Sequence, residues 1–137
     1  MSLYDMFETS EDIETTGFKL EIVDGTNVIS FRIARAGGRN KAFGTALQAA
    51  MKPHEMAAQR GAVEDSVAEG ILIRCIAKHI VLDWDNVVGR DGEAIEYSAE
   101  AATALLTELP DLRDMIWKEA QDVANFQVES TEETAKD

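Results

Sequence analysis

Residues 18–34 constrain the fold more than any other stretch of this chain. Phe18, Leu20 and Ile22 alternate with Lys19 and Glu21, and after Asp24-Gly25-Thr26-Asn27 the alternation resumes as Ile29, Phe31 and Ile33 against Ser30 and Arg32. A period of two with a turn signal between the runs predicts a β-hairpin with all six apolar side chains on one face. A lone hairpin is marginal in water, so the remainder of the chain must cover that face. Beyond residue 40 the apolar residues recur mainly with the period of a helix.

Gly37-Gly38 breaks the strand, and Asn40 is placed to cap a helix over residues 41–51 with Phe43, Leu47 and Ala50 on one side. Pro53 stops that helix and can open a short one ending at Gly61. Glu64 and Asp65 suit the positive end of a third helix, whose wide stripe is Val67, Ala68, Ile71, Leu72, Cys75, Ile76 and Ile80. A Trp84-bearing segment leads to a small turn or mini-hairpin near residues 87–95, marked by Gly89 and Asp91-Gly92. Ser98 caps a helix running to about Leu106. Pro110 and Asp111 open the last helix, with Leu112, Met115, Ile116, Ala120 and Val123 as its stripe. The expected fold is α+β and helix-dominant: an N-terminal β-hairpin, then about four to five helices.

Charge placement suggests the domain limits. Of a net charge of -13 over 137 residues, residues 1–16 carry -5 with no Lys or Arg, and residues 128–137 carry -3. Both ends read as acidic flexible tails, and residues 17–127 as one globular domain of mild charge. That balance argues against binding nucleic acid phosphates or an anionic membrane. The single Cys75 has no partner for an internal disulfide, and no secretion signal or membrane-length apolar run is evident, so a soluble protein of the cytoplasm is expected.

No pattern supports catalysis. His54-Glu55 begins like H-E-x-x-H, but the second histidine position holds Ala58. Cys75 and His79 share a helix face, yet two ligands fall short of the four in a structural zinc site. Asp83, Asp85, Asp91 and Glu93 fail calcium-loop spacing because Val87 and Val88 stand where an oxygen ligand and a glycine are needed. Gly37-Gly38 lies in no phosphate-loop or dinucleotide frame. The expectation is a non-enzyme with no metal and no cofactor.

Two features point to binding instead. Leu3, Tyr4, Met6 and Phe7 are concentrated among acidic residues. As a helix, Leu3, Met6 and Phe7 would share one face, to enter a partner's groove or to dock on their own domain. Trp84 and Trp117 serve either as interface anchors or as core. Trp117, beside the main stripe of its helix, is the better placed to meet a partner.

From Phe31 to Phe126 the order and spacing of short elements resembles the tail assembly chaperones of long-tailed (siphophage-type) bacteriophages. The elements are Arg35-Ala36-Gly37-Gly38 with Asn40, Lys52-Pro53, Gln59-Arg60-Gly61, Val81-Leu82-Asp83-Trp84-Asp85-Asn86-Val87, Asp91-Gly92, Leu106 to Asp111, and Asn125-Phe126. The resemblance implies a protein of the host bacterial cytoplasm, absent from the mature virion. It implies binding to the long tape measure protein, which it keeps soluble while tail tube subunits assemble around it. It also implies a longer frameshifted form joined near Val128, and leaves self-association open. Two other classes are compatible with an acidic phage protein: a DNA mimic that inhibits a host nuclease or defence protein, and a minor virion or connector component. A mimic needs its carboxylates ordered over a folded face, whereas in this chain eight of the thirteen excess charges fall in the ends.

Overall fold

The computed structural model describes residues 2–128. Two short helices, α1 (Leu3–Phe7) and α2 (Glu11–Thr16), precede strands β1 (Phe18–Asp24) and β2 (Asn27–Ile33). Helix α3 (Lys41–Met51) runs through a 3-10 turn at Lys52–His54 into α4 (Glu55–Gln59), and α5 (Asp65–His79) leads into a third strand, β3 (Val81–Asp85). Helices α6 (Ala99–Glu108) and α7 (Pro110–Gln121) come next, with a closing 3-10 turn at Val123–Phe126. The helix-dominant α+β architecture is as expected, with five α-helices after the hairpin among the described residues.

The hairpin pairs Phe18 with Ile33, Leu20 with Phe31 and Ile22 with Ile29, which sets the apolar residues in one band. Gly25 takes φ 62, the left-handed region that its tight turn requires. The band is covered as its composition demands. Phe31 and Ile33 are buried, and Phe18, Leu20, Ile22 and Ile29 pack against the same core. Helix α5 supplies much of the cover through Ile71, Ile73, Cys75, Ile76 and Ala77, and it packs on α3, α6 and β3. Ile73 and Ala77 lie off the stripe read from the sequence. They are buried because α5 is enclosed on more than one side.

Strand β3 is a correction to the expected hairpin-only sheet. It pairs antiparallel with β2, giving the order β1-β2-β3. A bulge between Arg32 and Ile33 puts Val81 opposite Ile33 and Trp84 opposite Phe31, although Val81 and Trp84 are three apart. The extra residue, Leu82, breaks the period of two that would mark a strand. Trp84 meets Phe31 and Tyr97 edge to face at 6.1 and 5.3 Å, and its indole N–H donates to the Ile95 carbonyl at 2.8 Å. Trp84 is therefore structural. The expected mini-hairpin is present as a Val88–Ala94 bridge, and Ser98 caps α6 by accepting from the Ala101 N–H at 2.9 Å.

Asn40 is a second correction. It precedes α3 but makes no side-chain cap bond. Its amide donates instead to the Arg35 carbonyl at 2.8 Å and the His79 carbonyl at 3.0 Å, so a buried side chain ties the loop after β2 to the end of α5. Around it, the backbone N–H of Ala34 donates to Ile80 O, that of Arg35 to Glu14 O and that of Ala36 to Ala120 O.

The expectation of an acidic tail over residues 1–16 also changes. Ser10 caps α2, and Glu14 within that helix is 1% exposed, so residues 10–16 are built onto the domain. The acidic tail expected over 128–137 lies, past Val128, outside the described residues. Among the described residues no helix is long and apolar enough to cross a membrane.

Asn40→Ala removes the donor from two carbonyls at once. It is expected to lower unfolding free energy by about 1–3 kcal/mol, read as a fall in urea midpoint with an unchanged slope.

Candidate partner-binding surfaces

Helix α1 is preformed locally. The Ser2 hydroxyl accepts from the Asp5 N–H, and the Asp5 carboxylate accepts from the Ser2 N–H, both at 3.2 Å, a reciprocal capping box. The helix buries none of its residues. Leu3, Tyr4, Met6 and Phe7 are 72%, 77%, 46% and 61% exposed, four large apolar side chains within five residues. Leu3, Tyr4 and Phe7, with Glu8, Thr9 and Arg39, line an open depression of about 530 Å³. Met6, expected on the same face, is not among its lining residues. The Met6 carbonyl accepts a hydrogen bond from Gln127 Nε2 at 2.9 Å. On the other side Tyr4, Asp5, Glu8 and Thr9 meet Gln127 and Val128 around a second recess of about 300 Å³.

Next in the chain, α2 is fastened by charge. Glu14 pairs with Arg35 on one oxygen and with Arg39 Nη1 at 3.6 Å on the other, and the Arg39 N–H also points at it. Burial pushes the Glu14 carboxyl up. The Arg35 hydrogen bond, the Arg39 N–H and the Arg35 charge outweigh it and hold the group below its ordinary value. Gly38 makes room for this arrangement: with φ 54, it is where a Cβ would strike Glu14 Oε1 and the Arg35 side chain. The Arg35 guanidinium also lies 5.9 Å over the ring of the fully buried Phe126, which packs edge to face on Phe18 at 5.3 Å. The Ser10 N–H donates to the Phe126 carbonyl at 2.7 Å, so the first and last described segments meet beside α1.

Trp117 belongs to a different surface. It is half-buried on α7, 5.8 Å from Phe43, and it lines a groove of about 270 Å³ between α5 and α7. Ala68, Leu72 and Ile76 form the rest of the apolar floor, and Glu69, Arg113 and Asp114 stand at the rim, with Arg113 ion-paired to both carboxylates. The structure thus gathers Leu3, Tyr4 and Phe7 in one depression and leaves Trp117 lining another. Arg39 and Gln127 are lining residues that the sequence did not single out, and Leu72 was read only as core stripe. Arg39 and Gln127 are brought in by contacts far apart in the chain.

The remaining candidates for chemistry are Cys75 and His79 on α5. Cys75 is buried, and burial raises its thiol pKa. Burial, helped by Lys78, lowers that of His79. Among the described residues no three His, Cys, Asp or Glu side chains gather as a metal site.

A family model described as YdaY prophage protein matches residues 38–137. The chain belongs to the YdaY prophage protein family. The match begins at Gly38 and takes in α3 to α7 and β3, so in this YdaY-family protein the groove floored by Trp117 lies within the matched segment, and α1 lies ahead of it. No curated protein and no solved structure matches.

The buried groups give two expected outcomes. Glu14 has a depressed folded pKa, so its contribution is full above the unfolded value of about 4.3 and is lost as pH falls through the lower folded value. Glu14→Gln is therefore expected to cost about 2 kcal/mol at neutral pH, and the gap from wild type to narrow steadily below about pH 4 in urea titrations. Cys75 is expected to resist iodoacetamide in the folded protein and to react readily in denaturant, measured by mass.

Proposed function

We propose that this prophage protein works without catalysis, as a tail assembly chaperone. On this reading it binds the tape measure protein in the host bacterial cytoplasm and keeps it soluble while tail tube subunits assemble around it. It then stays out of the finished particle. One observation carries the reading: four large apolar side chains within five residues stay exposed on a capped helix that buries nothing. A helix folded by its own capping box and left uncovered is suited to meeting another chain. Prophage family membership supplies the context, and the order of elements over residues 31–126 resembles that of tail assembly chaperones.

The physics of the task agrees. A long helical partner exposes apolar faces until the tube encloses it. A cover for those faces must bind weakly at each place, or the partner would not be released. Many copies along one long partner then supply avidity. The acidic character of the chaperone keeps the complex soluble.

Co-expression with the tape measure protein of the same prophage tests this. The expected result is a larger soluble fraction of the long protein, recovered together with the tagged chaperone. Phe7→Asp, on an exposed position, is expected to reduce recovery about tenfold without changing the thermal midpoint. Capture of a host nuclease with no tape measure protein would place the DNA-mimic reading first. Presence of the chain in purified particles would make it a virion component.

A further inference from the structure

The α1 surface is specific in charge as well as apolar. Glu8 lines the depression with Leu3, Tyr4 and Phe7, Asp5 lines the second recess with Tyr4, and Glu11 and Asp12 follow in the first turn of α2; all four are exposed. Among the described residues none of the four has a cation within 4.0 Å. The nearby cation, Arg39, is turned to Glu14. An apolar strip thus has exposed carboxylates beside it at Asp5 and Glu8, and neither is ion-paired among the described residues. Placing an acidic or neutral chain there would leave those carboxylates repelled or partly desolvated without a counter-charge.

We propose that the occupant of this surface is a helical segment of a partner protein whose apolar stripe is flanked by lysine or arginine. The inference rests on α1 as the partner-binding element and adds the chemistry of the segment it takes. Helix α1 is about 7.5 Å long, a little over one turn, so it contacts a short stretch of partner and recognises spacing over about two turns. Its order is established before binding. The Ser2–Asp5 capping box fixes one end, and Gln127 holds the Met6 carbonyl near the other. Little ordering is then needed on this side of the interface.

The test uses the full chain and two labelled synthetic helices that share leucines at three- and four-residue spacing. One carries lysine at the flanking positions and the other glutamate. Fluorescence anisotropy is expected to show binding of the lysine helix that weakens at least about tenfold between about 50 and 500 mM salt, and no binding of the glutamate helix. Leu3→Ala with Phe7→Ala is expected to weaken the lysine helix about tenfold, and separately Glu8→Gln is expected to weaken it and to flatten its salt dependence. Val23→Ala with Met56→Ala and Glu93→Gln with Glu96→Gln, substitutions outside α1 and α2, are expected to leave it unchanged. Equal binding of both helices would overturn the charge requirement. Equal loss in the control variants would overturn α1 as the site. Either failure leaves the chaperone reading standing if the tape measure protein still co-purifies. Loss of co-purification would sink that reading by itself.

Discussion

Three consecutive residues, Ala34, Arg35 and Ala36, hold the molecule together. They leave β2 at the point where the sheet must be tied to everything around it. Their backbone N–H groups donate in turn to Ile80 at the end of α5, Glu14 in α2 and Ala120 in α7. Buried backbone donors must be paired, so each bond fixes the position of an element distant in sequence. Asn40 repeats the link from the side, joining Arg35 to His79. The cover that the apolar hairpin face needs is therefore aligned by hydrogen bonds as well as pressed on by burial.

Charge completes that junction. A carboxylate as buried as Glu14 would be costly alone, and it is tolerable because two arginines and a backbone N–H converge on it. The same Arg35 lies against Phe126, so one side chain joins α2, the loop after β2 and the last turn of the described chain. The acidic N-terminus is thereby two things at once. At Glu14 it is interior, and from Leu3 to Phe7 it is surface.

The sequence made the hairpin, the five later helices and the Ser98 cap legible because each has a local cause: alternation, helical spacing, a proline or a hydroxyl. What it hid depends on partners far along the chain. Strand β3 has two aspartates in five residues and a bulge that spoils its alternation, so only its pairing with β2 identifies it. Asn40 looked like a cap because its position suits one, and two distant carbonyls compete successfully for its amide. Glu14 looked like one more charge in an acidic run, since nothing nearby announces Arg35 and Arg39. On the binding side, the apolar concentration at Leu3 to Phe7 was visible. That Trp117 faces another groove, and that Met6 is set apart from Leu3 and Phe7, became visible only in three dimensions.

Contact between Ser10 and Phe126, reinforced by Gln127 on Met6, gives the domain a pole at which the beginning and end of its described chain converge. Val128, the last described residue, lines the recess that Tyr4 and Thr9 also line. Because the described ends lie together, a circular permutant that links them and opens at Gly25-Thr26 would keep the fold and carry its new termini at the hairpin turn.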